Sequence, residues 1–149
     1  MPGGDPDSHE VEVGSADVRI LSITVDVALT DAYTFAWQPE NFPKWAAGLS
    51  TSLRQTAEGW VADTPSGKAL IEFSEPNAYG VLDHTVKVKG KPDVHVPLRM
   101  IENGDGTEVE LVLFRQPGMS DADFEHDAAS VRHDLMALKN LLEAQFQKP

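Results

Sequence analysis

The sequence contains no cysteine in its 149 residues. A disulfide framework, a thiolate metal site and a cysteine nucleophile are therefore excluded, and a reducing cytoplasm is the default expectation for location. Basic side chains are also scarce, because 12 Lys and Arg residues stand against 24 Asp and Glu residues, for a net charge of -12. Nucleic acids and anionic membranes bind positively charged surfaces, so we predict no nucleic-acid partner.

Long apolar runs and common catalytic motifs are absent as well. No stretch approaches the ~18 consecutive apolar residues of a membrane-spanning helix, so we expect no integral membrane association. The sequence lacks the G-x-S-x-G, H-E-x-x-H and G-x-G-x-x-G patterns and any glycine-rich phosphate loop. The segment 103–106 (NGDG) has some features of a calcium loop but lacks its full frame, so we expect a hairpin turn there. We predict no cofactor and no bound metal.

The length of the chain suits one domain with one hydrophobic core. Residues 1–17 carry glycines, prolines and acidic side chains but no apolar segment, which predicts a disordered leader. We expect residues 18–149 to form the single domain. Nothing in the sequence decides between a monomer and a homodimer paired through an edge strand.

The longest periodic segment is the last one, from Ser120 to Phe146. Its apolar residues recur at steps of three and four, which places them on one face of a helix. Ser120 is suited to cap this helix, and Pro117 and Gly118 interrupt whatever precedes it. The stripe consists of Phe124, Ala128, Val131, Leu135, Leu138, Leu142 and Phe146. Such a long apolar face requires a broad partner surface.

Short segments rich in β-branched residues predict that surface. We expect a first strand over 18–27, then two short helices, one opening at Thr30 and Asp31 and one restarting at 38–40. Six further strands follow, separated by turns too short for parallel pairing, so the sheet is antiparallel. These strands are predicted over 50–55, 60–63, 68–74, 79–89, 93–102 and 107–116.

Alternation within these strands indicates which side chains face the helix. His84 lies in an apolar row with Leu82 and Val86, and Arg115 ends the row of its own strand. The strand over 93–102 allows two registers. Either Val96, Leu98 and Met100 face inward, or His95, Pro97 and Ile101 do, in which case His95 and Arg99 enter the pocket.

Four segments carry a resemblance to a known family: 39–45 (PENFPKW), 80–84 (GVLDH), 96–99 (VPLR) and 113–120 (LFRQPGMS). They resemble the polyketide cyclase/dehydrase-like branch of the START-like (SRPBCC) superfamily, over about residues 18–143. The resemblance implies an α+β, helix-grip fold. In it, a seven-stranded curved antiparallel sheet wraps around the long C-terminal helix and leaves a cavity, with two short helices after strand 1. The superfamily includes cyclases, lipid carriers, hydratases and chaperone activators on one scaffold.

Two charged or titratable residues are the leading site candidates. An imidazole at position 84 would face the cavity, where it can relay a proton or hold a ligand carbonyl, so His84 is the candidate catalytic residue. The alternative is a core histidine satisfied by a neighbouring carbonyl. Arg115 is suited to bind a ligand carboxylate or phosphate, or else to pair with Asp127.

The remaining candidates are walls of the predicted cavity. Trp45 and Phe42 belong to the second short helix, which borders the cavity mouth in this fold, and Trp45 can stack on a flat ligand. Arg99 either enters the pocket or forms a charge ladder on the outer face with Asp83 and Glu110. Packing in the core is the simpler role for several of these side chains. The full set of candidate ligand-binding residues is His84, Arg115, Trp45, Phe42, Phe73, Arg99, Leu135 and Val131.

The sequence leads to one functional hypothesis and two alternatives. We expect a domain that binds a small hydrophobic or aromatic ligand, lipid- or polyketide-like, mainly through burial of apolar surface. The first alternative is a polyketide cyclase/dehydrase-like enzyme that uses the same cavity, with His84 as acid or base. The second is a protein-interaction or chaperone-activator-type module. A cavity of a few hundred Å³ with converging polar groups would favour the first two.

Overall fold

The computed structural model describes residues 14–46 and 52–146 of the chain. Most of the predicted leader, 1–17, and the start of the strand predicted over 50–55 lie outside these residues. Within them the elements follow in the order β1 (Val18–Val25), α1 (Leu29–Ala36), a 3-10 helix (Pro39–Lys44), β2 (Arg54–Thr56), β3 (Gly59–Thr64), β4 (Gly67–Phe73), β5 (His84–Val88), β6 (Val94–Val96), β7 (Leu98–Asn103), β8 (Gly106–Phe114) and α2 (Asp121–Gln145).

The strands form two antiparallel sheets. One has the order β1-β8-β7 and the other the order β2-β3-β4-β5-β6. The α+β class, the antiparallel pairing and the long C-terminal helix are confirmed. The prediction of a single seven-stranded sheet is wrong, because the described residues form eight strands in two sheets.

The extra strand arises at Pro97, which divides the predicted strand 93–102 into β6 and β7. Proline has no N–H to donate to a neighbouring strand, so a ladder is interrupted there. Before the break β6 pairs with β5, and after it β7 pairs with β8. The carboxylate of Asp83 accepts a hydrogen bond from the backbone N–H of Leu98 at 3.0 Å. The chain therefore passes from one sheet to the other at this proline.

The register of this segment is the first of the two predicted. Leu98 and Met100 are each 1% exposed, whereas Ile101 is 47% exposed. His95 and Arg99 are exposed on the outer face. The alternative inner row of His95, Pro97 and Ile101 is therefore wrong. It would expose the apolar side chains of Leu98 and Met100 to water and bury the charged side chain of Arg99.

The segment before β5 is not a strand, although we predicted one from Tyr79. Gly80 has φ +71°, and a Cβ at this position would collide with the backbone carbonyl of Met100. The backbone instead makes two bonds across to β7, from Met100 N–H to the Gly80 oxygen and from Leu82 N–H to the Leu98 oxygen, both at 2.8 Å. Only glycine allows this close approach at a positive φ.

The two short helices after β1 are present, but the second is not an α-helix. Helix α1 begins at Leu29, and its N-cap residue Ala28 makes no side-chain capping bond, so the predicted start at Thr30 and Asp31 is one residue late. The second is a six-residue 3-10 helix that contains Pro43. Proline disrupts the i to i−4 bonding of an α-helix and favours short, irregular turns. Phe42 on this helix is buried in the core.

Helix α2 agrees closely with its sequence prediction. The hydroxyl oxygen of Ser120 accepts a hydrogen bond from the Asp123 N–H at 3.1 Å and caps the helix. The helix packs against β1, and most of its buried residues join side chains from both sheets in one hydrophobic cluster. The residues of α2 in this cluster are Ala128, Leu135, Leu138 and Leu142, and Phe124 is buried outside it.

No helix among the described residues combines the length and the apolarity needed to cross a membrane.

Candidate functional site

A cavity of about 230 Å³ lies between α2 and the sheets, where the sequence predicted one. Its floor comes from strands of both sheets, its roof from α2, and one side from the 3-10 helix and the two residues after it. Most of the lining is apolar, and the polar groups in it come from three residues. The lining residues are Phe42, Trp45, Ala46, His84, Val86, Val96, Leu111, Val131, Asp134 and Leu135.

His84 opens β5 and lies on the inner face, 7% exposed. Its Nδ1 is 3.2 Å from the carbonyl oxygen of Leu82. A carbonyl only accepts, so Nδ1 carries the proton, and in the neutral ring Nε2 then presents a lone pair. Burial lowers the pKa of His84, outweighing the opposing effects of the Leu82 carbonyl and of the nearby Asp83 carboxylate. The ring is therefore a neutral hydrogen-bond acceptor at neutral pH.

Aromatic rings fix the position of this imidazole. The Phe42 ring meets the rings of Trp45, Phe73 and His84 edge to face, with centroids 5.2, 5.3 and 5.3 Å apart respectively. Such packing restricts the imidazole to one orientation. A space of only about 10 Å³ remains on the side of His84 where Phe73 lies. This is roughly the room for one water molecule. Phe73 therefore supports the site from behind and does not line the cavity itself.

Trp45 lines the cavity and is 5% exposed. Its indole Nε1 is sealed from solvent and has no hydrogen-bond acceptor among the residues that the structure describes. A buried N–H without an acceptor costs roughly 1–3 kcal/mol. The indole face contributes apolar surface to the cavity wall, as the sequence predicted for this residue.

Asp134 is a polar residue of the cavity that is absent from the set of candidates predicted from the sequence. It lies on α2 and lines the cavity together with Val131 and Leu135, and its side chain is 25% exposed. A signal was present, since positions 131, 134 and 135 share one helix face. The structure thus places a carboxylate on the roof and an imidazole on the floor of one cavity.

Arg115 does not reach the cavity, and its predicted pairing with Asp127 is wrong. Its guanidinium donates two hydrogen bonds to the carbonyl oxygen of Met119, at 2.8 and 3.1 Å. It also forms an ion pair with Asp121 at 2.7 Å and lies over the ring of Phe124. Because these partners are at the start of α2, Arg115 joins the end of β8 to that helix.

Arg99 also lies outside the cavity, on the outer face. Its guanidinium donates two hydrogen bonds to the carboxylate of Asp83, both at 2.9 Å. This interaction lowers the pKa of Asp83 below its ordinary value, even though partial burial acts in the opposite direction. The predicted charge pair between Arg99 and Asp83 on the outer face is confirmed. The alternative, in which Arg99 enters the pocket, is wrong.

No Lys or Arg side chain lines the cavity among the residues that the structure describes. Within 14–46 and 52–146, no three His, Asp or Glu side chains gather so that they could hold a metal ion. The chemistry available to the cavity is therefore apolar burial combined with hydrogen bonding and proton transfer by His84 and Asp134.

No protein-family model matches the chain, and no curated protein matches it by sequence. Solved structures do match it. A START superfamily protein from Mycobacterium smegmatis has a TM-score of 0.60 at 11% identity, covering 86% of this chain and 98% of that one. CalU16 from Micromonospora echinospora has a TM-score of 0.60 at 20% identity, covering 90% of this chain and 78% of that one.

A third match is DynU16, a protein of the dynemicin biosynthetic locus, with a TM-score of 0.65 at 17% identity. The match covers 87% of this chain and 48% of DynU16. At these identities the likeness concerns the fold alone. The chain therefore has the START-like fold that its sequence resembles.

Proposed function

We propose that this protein binds a small, compact hydrophobic or aromatic ligand in the cavity between the sheets and α2. The observation that carries the proposal is the cavity of about 230 Å³, which has an apolar lining and a few polar groups at defined positions. Binding sites for small molecules have this composition. A core whose side chains filled this space completely, with no cavity, would instead have favoured the protein-interaction alternative.

The size of the cavity limits the ligand. Pockets for drug-sized molecules typically measure ~300–1,000 Å³, so about 230 Å³ suits one or two rings better than an extended acyl chain. Burial of apolar surface stabilises the complex by about 25 cal/mol per Å². Phe42, Trp45 and Leu111 supply much of that surface, while His84 and Asp134 orient the polar end of the ligand.

Filling the cavity tests this proposal. Val131→Phe on the roof of the cavity should abolish ligand binding and leave the fold intact, because the added ring occupies the space that the ligand needs. Met136→Phe on the same helix is the matched control, since Met136 is 48% exposed. Native mass spectrometry of protein purified from its own host, followed by solvent extraction, would measure the passenger in each variant. A passenger retained at full stoichiometry by the filled variant would contradict the proposal.

A cyclase-like enzyme is the second candidate. The observation that favours it is a neutral imidazole and a carboxylate in one cavity. An aldol cyclisation begins with a base that removes a proton from a carbon atom, and the imidazolium formed on His84 can return that proton to the departing hydroxyl group, which leaves as water. Two similar structures, CalU16 and DynU16, are consistent with it at the level of fold. Incubation with a candidate polyketide should yield a product lighter by one water molecule. His84→Phe should stop that conversion while binding persists.

A further inference from the structure

Among the residues that the structure describes, the polar side-chain atoms that the cavity offers to a ligand are acceptors. Nδ1 of His84 already donates to the Leu82 carbonyl at 3.2 Å, so Nε2 presents a lone pair to an incoming group. On the opposite wall lies the carboxyl group of Asp134, an acceptor whose Oδ1 is 3.8 Å from Nδ1 of His133. The indole N–H of Trp45 is sealed from solvent and does not compete as a donor. A ligand must therefore bring its own donor.

The cavity also disfavours a negative charge. None of its lining residues within 14–46 and 52–146 is Lys or Arg. The two arginines that the sequence suggested as anchors are engaged elsewhere, Arg99 with Asp83 and Arg115 with Met119 and Asp121. An anion in this cavity would lose its hydration and gain no Lys or Arg partner among the described lining residues, which is a costly combination.

We propose that the cavity selects an uncharged, hydroxylated aromatic compound of one or two rings, whose hydroxyl donates a hydrogen bond to Nε2 of His84, and that it rejects the corresponding carboxylates. This inference rests on the proposed function and specifies its ligand class. The neutral state of His84 agrees with it, since burial lowers the pKa of this ring and an imidazolium would have attracted anions. The Phe42 and Trp45 rings supply the aromatic wall.

Three probes that differ in one substituent test the inference: naphthalene, 2-naphthol and 2-naphthoate, with affinities measured by equilibrium dialysis at neutral pH. At this pH the naphthol is uncharged and the naphthoate is ionised. We expect 2-naphthol to bind roughly threefold to tenfold more tightly than naphthalene, which corresponds to one net hydrogen bond. We expect 2-naphthoate to bind more weakly than both.

Two variants assign the preference to residues. His84→Phe keeps an aromatic ring in the cluster but removes the acceptor, so it should abolish the preference for naphthol over naphthalene and retain naphthalene binding. Asp134→Asn removes the negative charge and should reduce the rejection of naphthoate. His95→Phe and Asp127→Asn, outside the cavity lining, are the matched controls and should change neither ratio. If His84→Phe fails to fold, His84→Leu replaces it, and the ranking of the three probes on the unmodified protein needs no variant.

The possible outcomes separate the two proposals. Equal affinity for naphthol and naphthalene, or tight binding of naphthoate, overturns the inference while the cavity remains a binding site. A His84→Phe protein that keeps the naphthol preference overturns the role of His84. Absence of binding for all three probes contradicts the proposed function itself.

Discussion

Asp83 accepts three hydrogen bonds at the point where Pro97 interrupts the sheet, one from the Leu98 N–H and two from the Arg99 guanidinium. Asp83→Asn should lower the free energy of unfolding by about 1–2 kcal/mol at pH 7, because the charged partner is half-exposed and part of its contribution is screened. Urea titrations monitored by circular dichroism would measure the loss. Asp93→Asn is the control, since Asp93 has a looser ion pair with Lys87 at 3.8 Å.

The effect of Asp83 should depend on pH in a defined direction. Arg99 lowers the pKa of Asp83 in the native state below 3.8, the ordinary value that the unfolded chain retains. At a pH between the native and the unfolded pKa, the unfolded chain therefore binds more protons than the native protein. The stabilisation is complete above about pH 4 and is lost as the pH falls through the native pKa. The difference between the two proteins should therefore shrink on acidification, and a difference that is constant down to pH 2 would rule out this carboxylate as its source.

His84 should make stability fall in a different pH range. Burial lowers its pKa below the ordinary value of 6.5, against the opposing effects of the Leu82 carbonyl and the Asp83 carboxylate, and His95 also lowers this pKa. Below pH 6.5 the unfolded chain therefore binds a proton that the native protein does not, and the free energy of unfolding decreases as pH falls. Asp134 also lines the cavity that His84 faces.

The measurement is the change in unfolding free energy between pH 7.5 and pH 5.5. His84→Phe cannot titrate and should lose less stability over this interval than the unmodified protein. His126→Phe removes an exposed imidazole on α2 that is not among the influences on His84, and it is the control for loss of a ring. An identical pH dependence in all three would mean that His84 is not held neutral by burial.

At the scale of elements, Arg115 joins β8 to the start of α2 through the Met119 carbonyl, Asp121 and the Phe124 ring. Arg115→Ala should cost about 1–3 kcal/mol, since it leaves a half-buried carbonyl with fewer donors, and should leave the affinity for a cavity ligand unchanged. Thermal melts and equilibrium dialysis would measure the two effects separately. Arg54→Ala, which removes an exposed pair with Asp63 at 3.4 Å, should have little effect. Loss of affinity for the cavity ligand without loss of stability would instead indicate that Arg115 takes part in ligand binding.

At the scale of the whole molecule, the net charge of -12 implies repulsion within the folded chain. Salt shortens the Debye length to about 10 Å at 0.1 M, and exposed ion pairs contribute little to offset the repulsion. The melting temperature should therefore rise between 10 and 300 mM NaCl, by roughly 2–4 °C for each kcal/mol of repulsion removed. Calorimetry would measure it. A falling melting temperature would show that the ion pairs dominate.

Local patterns in the sequence were sufficient for the elements but not for all of their boundaries. The period of the last segment, its serine cap and its buried face were predicted correctly because they depend on neighbours within a few residues. The division of the strand over 93–102 at Pro97 was not predicted. It depends on which strands lie beside this segment and on the hydrogen bond from the Leu98 N–H to the Asp83 carboxylate. The same applies to the segment before β5, where Gly80 meets the backbone of Met100.

The sequence by itself determined the class of fold, the antiparallel pairing, the helix that covers the sheets and the inward face of His84. These features follow from periodicity and turn chemistry, which are local. Only the tertiary structure decided that Asp134 and His84 line one cavity and that Arg99 and Arg115 are engaged elsewhere. The reason is physical: whether a polar side chain meets a cavity, a backbone carbonyl or another charge depends on elements distant in the chain, whose approach no local pattern records.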